Sequence, residues 1–528
     1  MISSLIESCI SFRLLLLIIF ISIKVAAQPV ASTFRLDKNE SLKKNSDSSP
    51  QGNYIGSILP IGDTVFVVAG SGLSRTTDRG DSWTNFFNLT SLDIESVQTV
   101  AYSNGVIWTS FVKSVEKFGE MQTAGGGLKY STDKGANWIS IDQPLDMLSD
   151  TVIVYGKNKL PSVPVHTTVN NLTYDIAVIN NVIWIASWGG GLRKSSDMGK
   201  SWQRVVLPPD KLDMISPDEK LDFTVASQNL NQLAFSIAAA DSLTFYVGTA
   251  GGVNKTTDGG ISWRKFNHLN QSNPISGNFV NYLKYNPVTK TLYASSWKAS
   301  GSTEFYAVSL SSNGGESWTT VLEGERPTGF AFKGEDVIVT TENGAFRSSN
   351  MGKSWFSPDK IIDRQSGLSI TTNYFTCAAS QKDDIWLGSK FGLARFSETG
   401  AMWNGSWKIF MASQPLSSKN SSYAFPNPFH PDETKVNIKY STGGRRANVT
   451  IRIFDFGMNL VRTVIQNEER GSLLTTGHSQ ENSLQDDSVI DLWDGRNERG
   501  NFVPNGVYFY RIDFDQGESS FGKIMVIM

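Results

Sequence analysis

The sequence predicts an all-β chain, a seven-bladed β-propeller followed by a β-sandwich. Three observations carry that expectation. An octapeptide of the form Ser/Thr-x-Asp/Asn-x-Gly-x-Ser/Asn-Trp recurs six times, at residues 76–83, 131–138, 195–202, 256–263, 311–318 and 348–355. Around the copies, short β-prone runs alternate with Gly, Asn or charged turns, so that four runs make a unit. Beyond residue 423 the repeat stops and a different set of alternating strands begins.

Composition narrows the function. With 48 basic and 50 acidic side chains the net charge is −2, so no bulk field gathers nucleic acid or an anionic membrane, and nucleic acid is not an expected partner. The count of 46 glycines and 14 tryptophans suits many tight turns beside large apolar anchors. Residues 1–27 read as a signal peptide: Arg13, the apolar run 14–23, then Val25-Ala26-Ala27 before Gln28. An uncleaved anchor is the alternative. The protein is therefore expected to be secreted or at the cell surface. No Cys follows the cleavage site, which argues against a lipoprotein. Cys9 lies in the signal, leaving Cys377 as the single mature thiol, so packing rather than disulfides must hold the fold. Cys377 sits in the apolar run 374–379 and reads as a buried structural thiol.

Residues 28–52 are polar and read as a flexible leader, with a weak strand at 29–35. The propeller is expected over 53–411. Its second strands fall at 64–69, 106–110, 182–187, 244–249, 291–297, 336–341 and 384–389, and Trp108, Trp184, Tyr246, Tyr293 and Trp386 share one place in them. Third strands open on Gly-Leu or a close variant, as at Gly72-Leu73, Gly191-Leu192 and Gly392-Leu393. The seventh unit lacks a clean octapeptide, and no exchanged strand marks how the ring closes. A linker is expected at 412–423. The sandwich strands then fall at 435–440, 448–454, 460–464, 489–493, 506–513 and 522–527, interrupted by a polar insertion at 466–488 that reads as a mobile loop.

The octapeptide has a physical logic of its own. Asp or Asn accepts hydrogen bonds from backbone N–H groups across a tight turn, Gly takes a left-handed conformation at low steric cost, and Trp packs its ring back onto the blade. The six copies resemble the Asp-box, or BNR, repeats of sialidases, sortilin-type receptors, some glycoside hydrolases and photosystem assembly factors, over roughly residues 51–411. Asp78, Asp133, Asp197, Asp258, Asn313 and Asn350 are expected to be structural, with calcium binding or catalysis as alternatives. The two Asn copies would weaken a cation site. No metal and no cofactor is expected.

As the hairpin between third and fourth strands, the octapeptide also orients the ring. Second-to-third connections and blade crossings lie on the opposite face, and the insertions at 112–124, 142–171, 206–229 and 298–303 are all expected there. That face is the expected ligand side, with Lys113, Glu116, Lys117, Glu120, Trp188, Trp297, Lys298, Arg326, Glu342 and Arg364 as candidate contacts.

A working sialidase would need an arginine cluster, a Phe-Arg-Ile-Pro-like segment and a Tyr–Glu pair, and that segment is missing here. Arg326 and Arg364 alone make no triad. A paired-carboxylate glycosidase would need two acids flanking the channel; Asp142, Asp146, Asp150, Asp210, Asp213, Asp218, Glu219 and Asp222 are available, but their spacing marks no pair. His166, His268, His430 and His478 are scattered.

The last module carries a second resemblance. Ala424-Phe425-Pro426-Asn427-Pro428-Phe429, Phe454-Asp455-Phe456-Gly457, Leu492-Trp493-Asp494-Gly495-Arg496-Asn497 and the run 505–512 look like the Ig-like domain related to that of the flagellar hook-capping protein. The outline over about 424–528 is similar to C-terminal sorting domains of type IX secretion cargo. That resemblance implies an outer-membrane secretion machine as partner. The sequence thus leads to a monomeric exported propeller that binds a glycan or protein, with a glycoside hydrolase as the rival reading.

Overall fold

The computed structural model describes residues 49–528 except 71, 87–94, 118, 227, 301–302, 413–415, 417–420, 444, 472–487 and 516. The signal peptide, most of the leader and the weak strand at 29–35 lie outside the described residues. Among those described, no helix is long and apolar enough to cross a membrane.

Seven antiparallel sheets follow one another along the chain, each built on strands in sequence order, with one extra edge strand in blade four. Blade one is Ile55–Ile61, Thr64–Ala69, Gly72–Thr76 and Thr84–Asn85. First strands of the later blades are Glu95–Ser103, Thr173–Ile179, Ala234–Ala239, Phe279–Asn286, Pro327–Lys333 and Phe375–Gln381. Blade six keeps three strands, and its fourth is reduced to a bridge between Arg347 and Phe356. The core is a set of wedges between neighbours rather than one mass. Phe66, Val68 and Leu73 of blade one meet Val100, Ile107 and Phe111 of blade two; Tyr293, Val308 and Leu310 of blade five meet Phe330, Val337 and Val339 of blade six. Each blade thus buries its apolar faces only against adjoining blades. The shared aromatics Trp108, Trp184, Tyr246, Tyr293 and Trp386 all sit in these wedges, none more than 3% exposed.

The octapeptide turns lean backward onto the preceding blade. In every copy the Ser or Thr hydroxyl accepts the glycine N–H, from Gly80 to Thr76 Oγ1 at 2.8 Å through Gly352 to Ser348 Oγ at 2.9 Å. The Asp or Asn oxygen accepts the N–H four residues on, as in Ser82 to Asp78 at 2.9 Å and Ser317 to Asn313 at 3.0 Å. Gly80 has φ 87°, and a Cβ there would lie 2.4 Å from Phe410 of blade seven. Gly135 faces Phe86 of blade one in the same way. The tryptophan follows suit. Trp83 packs on Trp386 and Phe410 of blade seven, and Trp138 on Phe86 of blade one. The ring therefore goes between blades, where the sequence pattern had placed it on its own blade.

Among the described residues no strand is exchanged at the closure. Blade one instead packs on blade seven through Ile55, Val67 and Trp83 against Trp386, Leu393 and Phe410. Arg79 of the first octapeptide turn pairs with Asp384 at 2.6 Å. Asn53 and Ala412 exchange two hydrogen bonds, at 3.1 and 2.6 Å, across the ends of the ring.

The expected loop at 112–124 is a continuation of Val106–Lys117 and Glu120–Ser131 into one long hairpin. Residues 298–303 likewise extend Thr291–Ser300 and Thr303–Ser311. The insertions at 142–171 and 206–229 depart from expectation in location. They do not both stay on the face opposite the octapeptides. They bind one another through a parallel bridge from Ser162 to Val225, and Met214–Ile215 adds a fifth strand to the outer edge of blade four. Tyr155 donates to Ile261 O, inside the blade-four octapeptide, at 2.7 Å. Leu160, Leu207, Ile215 and Val225 are buried with the blade three and four wedge. These apolar residues draw the insertions down the rim, a pull that loop length alone does not reveal.

Past the propeller, a three-stranded sheet (Ser422–Phe425, Val436–Ser441, Ser488–Trp493) faces a four-stranded one (Ala447–Phe454, Leu460–Arg470, Gly506–Phe514, Ser520–Val526). They share a core of Val436, Ile438, Val449, Ile451, Trp493, Tyr510 and Ile524. The first strand begins at Ser422, inside the expected linker. The strand from Leu460 runs on to Arg470, because Arg470 pairs with Asp491 at 2.8 Å and keeps the edge ordered. The remainder of the expected loop lies outside the described residues.

Candidate functional site

Backbone hydrogen bonds fix the two faces. Gly259 of the blade-four octapeptide donates to Leu243 O in the first-to-second turn, and Glu398 donates to Asp383 O in blade seven. On the other face, residues entering the third strand bond to residues entering the first: Gly70 to Tyr54 O, Trp188 to Leu172 O, Ala250 to Leu233 O and Lys390 to Tyr374 O.

At this second face all seven first strands break register at the same place. One residue of each is left unpaired: Gly56, Gln98, Tyr174, Phe235, Asn281, Thr328 and Thr376. A bulge re-aims side chains and bends the strand. Repeated around the ring, it builds a collar at the mouth of a central cavity of about 940 Å³ that these seven residues line. Two collar hydroxyls also stitch the blades together. Thr328 donates to Phe375 O at 2.6 Å, and Thr376 to Ile55 O.

The collar is two-sided in chemistry. From blades three to five it is aromatic: Trp188 lies 5.2 Å from Phe235, Phe235 lies 4.7 Å from Phe279, and Phe279 lies 4.6 Å from Trp297. Tyr174 closes on Phe235 at 5.6 Å, and Trp297 continues outward to Tyr306 at 6.1 Å. Elsewhere the collar carries Gly56, Gln98, Thr328 and Thr376.

Deeper in the cavity stand Asp175, Lys284, Tyr282 and Cys377. The Asp175 carboxylate accepts N–H groups from Ile176 at 2.9 Å and from Ile237 of blade four at 2.8 Å. Burial raises its pKa to about 6 against those bonds. Lys284 donates to Phe330 O at 3.0 Å, and burial lowers its pKa although its side chain keeps open surface in the cavity. Cys377 is half-buried and lines this cavity rather than the interior of a blade. Burial pushes its thiol up to about 12, so it stays protonated and is a poor nucleophile.

The candidate contacts fall into four places. Trp188 and Trp297 come together through Phe235 and Phe279. Lys113, Glu116, Lys117 and Glu120 ride on the blade-two hairpin, whose base is tied to the mouth by the Ala124–Val169 bridge. Lys298 approaches His268 Nε2 at 3.3 Å, while Arg326 pairs with Glu342 at 3.2 Å and lies over the Tyr306 ring. Arg364 stands apart, exposed in the turn between Ile361–Ile362 and Ser369–Ile370. Tyr174, Phe235, Phe279, Asn281 and Lys284 were not singled out from sequence. Aligning the first strands would have shown aromatics in three consecutive blades at one position or beside it.

Acidic candidates in the rim insertions serve structure. Asp146 is buried between Arg193 at 2.8 Å and Arg204 at 3.1 Å, and Asp210 accepts the N–H groups of Leu230 and Asn231. The carboxylates of Asp78, Asp133 and Asp197 lie on the face away from the cavity and are held down to about 2 by the hydrogen bonds they accept. Among the described residues no group of three or more His, Cys, Asp or Glu side chains is placed to hold a metal ion.

No protein-family model and no curated relative matches the chain. Among solved structures it is similar to PorZ, a surface component of the type IX secretion system of Porphyromonas gingivalis, at 15% identity and TM-score 0.39, over 90% of this chain and 65% of that one. It is similar to YCF48 bound to a D1 peptide at 16% identity and TM-score 0.41, over 68% and 95% of the two chains. A GH74 enzyme of Niastella koreensis gives 14% identity and TM-score 0.47, over 90% and 73%. The chain spans about two thirds of PorZ. The β-propeller architecture itself rests on the sheets described above.

Proposed function

We propose that the chain is an exported binding propeller that takes a glycan at the collar opposite its octapeptide turns, and that the C-terminal sandwich directs export or attachment through an outer-membrane secretion machine. The observation that carries the binding reading is the repeated bulge. Seven strands give up a ladder pairing at one level, and six side chains and one glycine gather at one opening. The partly exposed rings of Tyr174, Trp188 and Phe279 share the cavity lining with the amides of Gln98, Asn170 and Asn281 and supply flat apolar surface alongside hydrogen-bonding groups. A sugar ring, apolar on one face and hydroxylated at its rim, complements that pairing. Among the described residues lining the cavity, Asp175 is the one carboxylate, and it is committed to two backbone N–H groups. Hydrolysis by paired acids would need a second beside it.

The test is a glycan array on the full chain, read alongside turnover of fluorogenic glycosides. Binding without turnover is expected. Turnover would move the chain to the glycoside hydrolases, and an array without hits alongside capture of a protein ligand would replace the glycan. Export is tested by removing residues 422–528. The truncated propeller should fold and remain in the periplasm; its efficient release would sink the sorting role.

A further inference from the structure

Lys284 is the one cationic side chain among the described residues lining the central cavity. Its ammonium has three N–H donors, one of them spent on Phe330 O at 3.0 Å. It forms no ion pair among the described residues. The nearby carboxylate, Asp175, is turned instead to the N–H groups of Ile176 and Ile237. Tyr282, two residues before it on the same strand, and Phe330 of blade six line the cavity with it. A lysine enclosed in this way lowers its own pKa, which costs stability unless an anion shares the space. The residue above it on the same strand adds a second unmet group: Asn281, a collar residue, has a side-chain oxygen with no partner.

We propose that the cavity is a terminal subsite for an anionic saccharide: the chain end enters through the collar, its rings lie along Trp188, Phe235 and Phe279, and its acidic group is held by Lys284. The proposal rests on the glycan reading and adds both a charge and a direction to it. The acidic group carries a carboxylate, sulfate or phosphate, since the shared chemistry is an anion accepting two N–H donors from one ammonium. Entry by the end follows from enclosure: seven first strands surround the cavity, so the middle of a polymer cannot reach Lys284 from the side.

The experiment titrates the full chain with oligosaccharides of three to six residues that differ only in the terminal group: hydroxyl, carboxylate, sulfate ester or phosphate monoester. The wild type should bind at least one anionic member about tenfold more tightly than the hydroxyl member, the worth of one charge-assisted contact. Lys284→Met, which retains the aliphatic stem, should lose that preference while holding the hydroxyl member as before. Lys284→Arg should restore part of it and guards against a folding defect, checked by an unchanged melting curve. Equal binding of neutral and anionic members overturns the proposal and leaves the glycan reading intact. A preference that survives Lys284→Met overturns it by placing the anion elsewhere, such as Lys113 or Lys298. No binding of any saccharide overturns both. An acidic peptide bound through Lys284 overturns the saccharide class.

Discussion

The octapeptide glycine does two things at once, and substitutions can separate them. Gly80 has φ 87° and also touches the Phe410 ring, whereas Gly400 has φ 95° with open space around it. Gly400→Ala should therefore cost only the backbone term, about 1 kcal/mol, and Gly80→Ala should cost about 3 kcal/mol because it adds a clash across the blade boundary. Thermal or urea unfolding of the two variants checks the difference. A similar argument applies to Thr76. Its hydroxyl donates to Asp78 at 2.8 Å and accepts the buried Gly80 N–H, so Thr76→Val should lose about 1–3 kcal/mol through the orphaned donor. The sequence displayed the hydrogen-bonding half of this motif plainly, because Asp, Gly and Ser announce a turn by type. It concealed the packing half. Nothing local to residues 76–83 says that Gly80 and Trp83 face Phe410, more than three hundred residues away in the chain.

At the scale of elements, blade seven lacks the octapeptide, and ion pairs on two buried carboxylates, Glu398 and Asp384, link it to its neighbours on both sides. Toward blade six, Glu398 binds Arg347 at 2.5 Å and Lys333 at 2.7 Å. Toward blade one, Asp384 holds Arg79 at 2.6 Å, with Arg395 at 3.9 Å. Burial opposes ionisation of both carboxylates, yet hydrogen bonds from arginine and their other partners hold both below the ordinary carboxylate value. The sign follows from that depression. Their contribution is complete above the unfolded carboxylate pKa, near 4, and is lost as the pH falls through the folded values. The ring should thus loosen in acid at blade seven. Asp384→Asn should cost about 2 kcal/mol at neutral pH, less than breaking a fully buried pair because solvent screens the half-exposed Arg79. It should also flatten the dependence of melting temperature on pH between neutrality and pH 3. An unchanged slope in that variant would remove Asp384 from the closure.

For the whole molecule, the strand pattern, the repeat and the two modules were all legible, since alternation and turn residues are written locally. The second strands at 64–69, 182–187, 336–341 and 384–389 coincide with the observed ones. Two features were hidden because they arise only on assembly. The rim insertions left their expected face to bury Leu160, Leu207 and Val225, and the collar exists only when seven bulges meet around one axis. The sandwich meets the propeller through a small contact, Thr371 with Thr434 at 3.0 Å, Lys390 with Glu433 at 3.4 Å and the Phe425 ring against the apolar cluster of blades six and seven. Its core is separate. Such contacts contribute little coupling, so calorimetry of the full chain should resolve two transitions, and the propeller transition should keep its midpoint when residues 422–528 are removed.

Placement of the ligand at the collar is tested most directly by comparing the two faces. A saccharide found on the array is titrated against Trp188→Ala with Phe279→Ala, which removes two aromatic rings that line the cavity mouth, and against Ile261→Ser, an exposed residue of an octapeptide turn. The collar variant should lose at least about tenfold in affinity, as expected of removing two aromatic anchors, while Ile261→Ser binds as the wild type does. Full affinity in the collar variant, or loss in Ile261→Ser, would contradict it.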